Sequence, residues 1–285
     1  MNDLRSAVRQ ATAQLTDAGV GSPEHDAVAL AAHALRVDSG EVRRLMILGG
    51  PVPPGYAALV AERASRVPLQ HLTGKAWFRG LELEVGPGVF VPRPETEVVA
   101  GWAIEATQAC VDAGVAAPVV VDLCTGSGAI ALSLKSEVPQ AQVHAVEVSD
   151  LAVAWAQRNR QRLGLDVEIV HGDAVVAFEE LVDVDVVVSN PPYIPTTAEP
   201  IDPEVRDHDP HVALYGGSED GLAIPRLVAA RAAELLRSGG VLVMEHADSQ
   251  GASLPAALLA TGSWSLVEDR LDLTGRPRAT VAVLA

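Results

Sequence analysis

Val119-Val120-Val121-Asp122-Leu123-Cys124-Thr125-Gly126-Ser127-Gly128-Ala129-Ile130 is the stretch on which the fold turns. Consecutive valines read as a strand buried on both faces, as in parallel sheets covered by helices on either side. A loop with two glycines follows, and Ala129-Ile130 opens a helix. Glycine lets a backbone turn sharply and approach a ligand closely. The start of a helix leaves unpaired N–H groups and the positive end of its dipole, which suit an anionic ligand group.

Working outward toward the C-terminus, Val143-His144-Ala145-Val146 and Val184–Val188 repeat the apolar run, with helical segments between them, including roughly 150–163. Gly240–Met244, Ser265–Glu268 and Ala279–Leu284 read as later strands. Alternating β and α elements predict an α/β, doubly wound, mainly parallel sheet with helices on both faces. Glu147 ends the strand after the glycine loop, nineteen residues beyond Gly128. An acid there can accept from both hydroxyls of an adenosine ribose. Gly126-Ser127-Gly128-Ala129-Ile130-Ala131 also fits a dinucleotide pattern, so the loop alone leaves the nucleotide open. Asp173 is a candidate acceptor for an adenine amino group or, equally, a helix N-cap.

Toward the N-terminus, residues 3–66 read as short amphipathic helices. Leu4, Val8, Ala11 and Leu15 recur at helical spacing, with Gly19 just past the end. Ser22-Pro23-Glu24 is an N-cap signal, and Asp38 with Glu41 resembles a capping box. Pro53-Pro54 is expected to start a further helix through about Arg66. Residues 67–95 are richer in glycine and proline. Trp77-Phe78 and Leu81–Val85 predict two strands, Gly86-Pro87-Gly88 a turn and Val89-Phe90-Val91 another strand. Pro92-Arg93-Pro94-Glu95-Thr96 leads into a helix to about Asp112. The expected division is a helical domain over 1–75, a β-hairpin linker over 76–95 and a nucleotide-binding domain over 96–285.

Ser189-Asn190-Pro191-Pro192-Tyr193-Ile194 follows the fourth buried strand, at the end of the sheet where ligands of open α/β folds bind. Pro191 biases Asn190 away from helix, and two prolines hold the backbone extended. The Asn190 side-chain oxygen and the Pro191 carbonyl then offer two fixed acceptors, which match the two donors of a planar NH₂ group. Tyr193 adds an aromatic face for a flat substrate group or a sulfonium methyl. Alone, the tetrapeptide leaves open a proline-rich exit loop capped by a buried aromatic; together with the glycine loop it points to methyl transfer onto an NH₂ nitrogen.

Composition bounds the remaining classes. The formal charge over 285 residues is −16, with 21 Lys and Arg against 37 Asp and Glu. Residues 1–75 carry +1 and residues 76–285 carry −17. That balance disfavours a protein that grips duplex phosphates. Cys110 and Cys124 are the only cysteines, which excludes a disulfide framework or a cysteine-rich zinc site and fits a reducing compartment. No metal-ligand cluster is expected; His208 and His211 lie in an acidic stretch that reads as a solvated loop. The N-terminus lacks an apolar core typical of a signal peptide, and no apolar run approaches the ~18 residues of a membrane span. Arginine outnumbers lysine 19 to 2, which reads as compositional bias and not as function.

Taken together, these motifs resemble the HemK/PrmC family, the glutamine N5-methyltransferases of peptide chain release factors. The resemblance rests on His71-Leu72-Thr73-Gly74, Phe90-Val91-Pro92-Arg93-Pro94-Glu95-Thr96-Glu97, Asp122–Ile130, Ala145-Val146-Glu147 and Asn190–Ile194. It continues through Leu214-Tyr215-Gly216-Gly217, Asp220-Gly221-Leu222, Glu245-His246 and Asp272–Arg278. It implies a seven-stranded Rossmann-like methyltransferase sheet, S-adenosyl-L-methionine as donor and S-adenosyl-L-homocysteine as product. It also implies class I release factors as partners, cytoplasmic location, a monomer, and no direct nucleic-acid or membrane binding. Carried onto this sequence, Cys124, Thr125, Gly126, Ser127 and Gly128 line the methionine part of the donor. Glu147 holds the ribose, Asp173 and Ala174 lie near the adenine, and Asn190 borders the donor. Phe90, Asn190, Pro191, Pro192 and Tyr193 form the substrate site, with Asn190, Pro191 and Tyr193 catalytic and the Arg93–Thr96 turn, beside Phe90, walling it. Cys124 stands where many members have glycine, so no positive φ is expected there, and Ala174 falls where some carry an aromatic residue. The competing expectation is an adenine-N6 DNA methyltransferase, which would use the same tetrapeptide on a flipped base.

Overall fold

A computed structural model describes residues 3–285; Met1 and Asn2, part of the N-terminal segment read above, lie outside the described residues. The chain forms two compact units. Among the described residues, one comprises 3–75, 85–87 and 200–208, and the other 76–84, 88–199 and 209–285.

The first unit is built from α1 (Leu4–Asp17), α2 (Pro23–Leu35), α3 (Ser39–Leu48), α4 (Tyr56–Ala64) and the short α5 (Leu69–Thr73). The predicted stripe Leu4, Val8, Ala11 and Leu15 is buried against Ala27, Leu30 and Ala31 of α2, with Val42, Tyr56 and Val60 completing the core. Asp3 caps α1 by accepting from Ser6 N, and Gly19 follows the helix at φ +72°. Two local expectations are corrected. Asp38 accepts from Glu41 N at 2.8 Å, but the Glu41 carboxylate turns to Arg44 instead of back to the cap, so only half of a capping box forms. The helix after Pro53-Pro54 begins at Tyr56, because Gly55 at φ +79° breaks the helical path between them.

A buried charge cluster closes this unit. Arg63 donates from Nε to Asp26 Oδ2 at 2.7 Å and from a terminal nitrogen to Glu204 Oε1 at 2.9 Å. Arg66 forms a two-pronged pair with the same Glu204. Glu204 lies on α9 (Pro203–His208), so a segment far downstream in the sequence completes the core of the first unit.

β1 (Lys75–Phe78) and β2 (Leu81–Glu84) form the predicted hairpin. Val89-Phe90-Val91 is not a strand. Gly88 turns the chain at φ +88°, and Pro92 and Pro94 deprive the segment of N–H groups that a ladder needs. Val89 and Val91 are nonetheless fully buried, which is why the stretch reads as apolar alternation.

The second unit contains α6 (Pro94–Asp112) and then β3 (Val119–Leu123), α7 (Ala129–Glu137), β4 (Gln142–Glu147), α8 (Asp150–Leu163), β5 (Val167–His171) and β6 (Val184–Ser189). After α9 come α10 (Ala223–Leu235), β7 (Leu236–Glu245), α11 (Ser253–Leu259), β8 (Trp264–Leu271) and β9 (Pro277–Leu284). The seven-stranded sheet has the order β5-β4-β3-β6-β7-β9-β8. Strands β3 to β7 run parallel, and β9 runs antiparallel to both β7 and β8. Alternation within the strands sorts the core into two layers. Val120, Val186 and Val243 pack with Val99, Ala103, Ile130 and Leu134 of α6 and α7. Val121, Val187 and Leu242 pack with Val228, Ala232 and Leu235 of α10 and with Leu254 and Leu258 of α11.

The Asp26–Arg63 pair gives a stability prediction. Arg63→Ala strands the Asp26 carboxylate, and removing one partner of a buried pair costs about 3–5 kcal/mol. Urea unfolding followed by circular dichroism is expected to show that loss, and Asp26→Asn in the same chain is expected to recover part of it.

Candidate active site

The site is set by strand register. Val146 of β4 pairs with Leu123 of β3, Leu123 with Ser189 of β6, and Ser189 with Met244 of β7. The next residue on each strand is therefore Glu147, Cys124, Asn190 or Glu245, in one row along the C-terminal edge. With strands about 4.8 Å apart, the row spans about 14 Å. Connections leave β3 toward β4 and β5 on one side, and β6 returns to its other side. The crevice of an open α/β sheet opens at such a reversal, so Cys124 and Asn190 flank it.

The glycine loop is held from below by Asp122, which is fully buried. Its Oδ2 accepts from Thr125 Oγ1 at 2.6 Å and from Ala131 N at 3.2 Å, tying the loop to the first turn of α7. Burial pushes the Asp122 carboxyl up to about 7, the two hydrogen bonds opposing the shift and the nearby Glu147 charge adding to it. From β4, Glu147 accepts from Gly126 N at 2.8 Å and from Ser149 N at 3.0 Å. Gly126, at φ +58°, opens onto free space. Ser127 is buried, and its carbonyl accepts from Asn159 Nδ2 at 3.0 Å.

Cys124 corrects the sequence expectation: its φ is +72°, in the left-handed region. A side chain there costs about 1–2 kcal/mol, which the surrounding hydrogen bonds of the loop must offset. Burial and the neighbouring carboxylates Glu147 and Asp122 push its thiol pKa far up, so the sulfur stays protonated and is no nucleophile. Asp173 is exposed and accepts from Val175 N at 3.0 Å within a turn, without a helix following directly. Ala174 is buried in the core layer under β3 and β4, beside Phe178.

On the other side, Pro191 and Pro192 are buried, whereas Asn190 and Tyr193 are half-buried. Asn190 Nδ2 donates to Thr96 Oγ1 at 3.4 Å. Tyr193 OH donates to Glu245 Oε1 at 3.2 Å; burial, with the adjacent Glu245 charge, raises the phenol pKa and keeps it neutral. Gln250 braces the exit from the tetrapeptide, donating to the carbonyls of Tyr193 and Asp220, each at 2.9 Å. Gly221 passes so close to the tetrapeptide that a Cβ on it would lie 2.1 Å from the Tyr193 carbonyl. Phe90 is half-buried beneath the Arg93 guanidinium, 4.9 Å from the ring centre, and Arg93 in turn pairs with buried Asp209 at 2.7 Å.

Asp122, Glu245 and Gln250 were not expected to have a part in the site, whereas Thr96 belongs to the Arg93–Thr96 turn that the resemblance implies as a wall of it. Glu245 carries the same signal as Glu147, an acid directly after a buried apolar run, and the same rule would have found it. Gln250 and the particular contact of Thr96 with Asn190 have no local signal, because the partners are distant in sequence. Among the described residues, no group of three His, Cys, Asp or Glu is placed to hold a metal ion. Among them, too, no helix is long and apolar enough to cross a membrane.

Two substitutions test these local readings. A carboxyl whose pKa is raised on folding binds its proton more tightly in the native state. The Asp122 contribution is therefore intact below its ordinary 3.8 and is eroded as pH rises toward about 7. Asp122→Asn cannot ionise, so its unfolding free energy relative to the parent is expected to shift in the variant's favour between pH 5 and pH 8. At Cys124, serine is expected to preserve turnover within about threefold, whereas β-branched valine, which suffers most at positive φ, is expected to lower the thermal midpoint and weaken donor binding.

Residues 6–74 match the PrmC N-terminal domain family, and residues 107–201 match the methyltransferase small domain family. A release factor glutamine methyltransferase of Streptomyces coelicolor is 51% identical over 99% of this chain and 98% of its own. One of Mycolicibacterium smegmatis is 50% identical over 99% and 98%. A 4-amino-L-phenylalanine/4-methylamino-L-phenylalanine methyltransferase of Streptomyces pristinaespiralis is 45% identical over 94% and 91%. Among solved structures, a Pyrococcus furiosus methyltransferase superposes with a TM-score of 0.52 at 20% identity, covering 79% of this chain and 98% of that one. The Thermus thermophilus 16S rRNA N2 G1207 methyltransferase, solved with AdoMet and guanosine, gives 0.52 at 22%, covering 74% and 50%. These structures share the fold, and the sequence relatives place the chain more narrowly: it belongs to the release factor glutamine methyltransferase family.

Proposed function

We propose that this chain transfers a methyl group from S-adenosyl-L-methionine to the side-chain amide nitrogen of the glutamine in the Gly-Gly-Gln loop of class I release factors. The observation that carries the reading is the pairing of Leu123 with Ser189. It brings the glycine loop and Asn190-Pro191-Pro192-Tyr193 to neighbouring strand ends in a chain that matches such enzymes along its length.

The residues present fit the donor. Gly126 leaves space where a side chain would intrude, and the Glu147 carboxylate is oriented by two backbone donors while keeping lone pairs for vicinal hydroxyls. Cys124 through Gly128 would hold the methionine part and Glu147 the ribose. Asp173, through Oδ2, and Ala174 would meet the adenine. When bound, the donor supplies a methyl group activated by a sulfonium.

The protein must overcome the poor nucleophilicity of an amide nitrogen, whose lone pair is delocalised into its carbonyl. Asn190 Oδ1 and the Pro191 carbonyl accept the two N–H bonds and aim the nitrogen at the crevice. As charge grows on that nitrogen, the same two dipoles stabilise it without reorganising. Proton loss can follow transfer, so no general base is assigned. The neutral Tyr193 ring and Phe90 wall the flat amide.

The helical unit supports release factor docking, and the −17 carried by residues 76–285 favours approach of a basic loop. We place the activity in the cytoplasm, where translation occurs, and assign it to a monomer. An aromatic amine is a second reading of the acceptor, favoured by the Streptomyces pristinaespiralis relative, because its NH₂ is also planar and conjugated.

A competition assay tests the proposal. Purified enzyme and labelled donor are offered release factor, duplex DNA and 4-amino-L-phenylalanine side by side, and the product is mapped by mass spectrometry. One methyl group on the glutamine of the Gly-Gly-Gln loop is expected. Transfer to DNA or to the aromatic amine, with the release factor unmodified, would overturn it.

A further inference from the structure

The Asn190-Pro191-Pro192-Tyr193 segment is held at both ends. Upstream, Ser189 is fully buried, pairs with Leu123 and Met244, and donates its hydroxyl to the Leu123 carbonyl. Downstream, Ile194 N donates to Leu214 O at 2.8 Å, and Gly216 N donates to Ile194 O at 2.9 Å. Between these ends neither Pro191 nor Pro192 has an N–H, and the ring fixes φ at both. The Pro191 carbonyl is then separated from the Tyr193 carbonyl by ψ of Pro192 and by φ and ψ of Tyr193. Whatever grips the Tyr193 carbonyl therefore restricts where the Pro191 carbonyl points.

Gln250 is that grip. It ends a short 3₁₀ turn, Asp248–Gln250, that follows β7, and it is 4% exposed. Its Oε1 accepts from Ala247 N at 3.0 Å, and its own backbone N–H donates to the Ala247 carbonyl at 2.9 Å. Its Nε2 directs both protons to carbonyls, those of Tyr193 and Asp220, each at 2.9 Å. All three side-chain partners are backbone groups whose donor or acceptor role is fixed, so the amide has a single orientation. Gly221 packs into the same junction: a Cβ on it would lie 2.1 Å from the Tyr193 carbonyl and 2.9 Å from Gln250 Nε2. The carbonyl is thus held by a side-chain donor and confined by backbone packed against it.

We propose that Gln250 is a positioning residue for methyl transfer: by tying the Tyr193 carbonyl to the exit of β7, it sets the direction of the Pro191 carbonyl that receives the substrate amide. This rests on the methyl-transfer reading above and deepens it. The effect falls on kcat, because a misdirected acceptor loses its advantage in the transition state. The donor loop, tied down by Asp122 and Glu147, is anchored separately.

Two substitutions separate the parts of the grip. Gln250→Glu keeps nearly the same shape and the acceptor for Ala247 N, but it replaces both donors by an oxygen that repels the Tyr193 and Asp220 carbonyls. Gln250→Met keeps the side-chain length and removes every polar contact.

The test compares both variants with the parent on release factor. The readouts are kcat, KM for release factor, donor Kd by calorimetry and amide hydrogen exchange by mass spectrometry. Each variant is expected to lower kcat by about tenfold or more, with KM and donor Kd within about threefold of the parent. Exchange is expected to quicken at Ile194 and Thr196 and to stay at the parental rate along β3 and β6. Parental kcat in either variant overturns the proposal. Exchange that quickens equally along β3 and β6, or a loss confined to donor binding, assigns Gln250 to general stability and overturns it too. Should Gln250→Glu not fold, Gln250→Met decides alone. A parent enzyme that fails to methylate glutamine refutes the underlying reading instead, so the two failures are distinguishable.

Discussion

The pairing of β3 with β6 is the constraint on which the rest depends. One residue of slip between Leu123 and Ser189 would turn every side chain of β6 to the opposite face. Val186 and Val187 would exchange core layers, and Asn190 would leave the level of Cys124. The register is fixed because both faces are buried under helices, with the alternation of Val120 and Val121 matched by Val186 and Val187. The packing of the core and the placement of the chemistry are thus one specification, not two.

At the strand ends, buried carboxylates perform different work. Asp122 ties the glycine loop to α7, Glu147 orients Gly126 and Ser149 N–H groups while facing the crevice, and Glu245 receives the tyrosine of the tetrapeptide. Each is held by donors, as buried acids must be, yet Asp122 and Glu245 keep pKa values near neutrality because burial outweighs those donors. The left-handed Cys124 adds backbone strain at the same place. Strain and desolvation concentrate where ligands bind, and the apolar layers beneath supply the stability that tolerates them.

The parallel sheet was legible in the sequence because its strands are continuous valine runs and its glycine loop has a fixed position between strand and helix. Asn190 and Glu147 were legible for the same reason: each directly follows such a run. Val89–Val91 misled, since buried valines alternate with Phe90 in an irregular segment as they would in a strand. Cys124 misled because its backbone is imposed by contacts of the loop, not by its own preference. Thr96 and Gln250 act on partners 94 and 57 residues away, and the Arg63 and Arg66 contacts to Glu204 span 141 and 138. No local pattern announces pairs of that kind.

The central claim is that Asn190 acts on the acceptor amide and not on the donor. Asn190→Ala, compared with the parent for donor Kd by calorimetry and for kcat on release factor, tests it most directly. Donor Kd within about threefold and kcat lower by about a hundredfold or more is the expected result, as for loss of a preorganised acceptor in the transition state. Near-parental kcat, or a loss confined to donor binding, would contradict it.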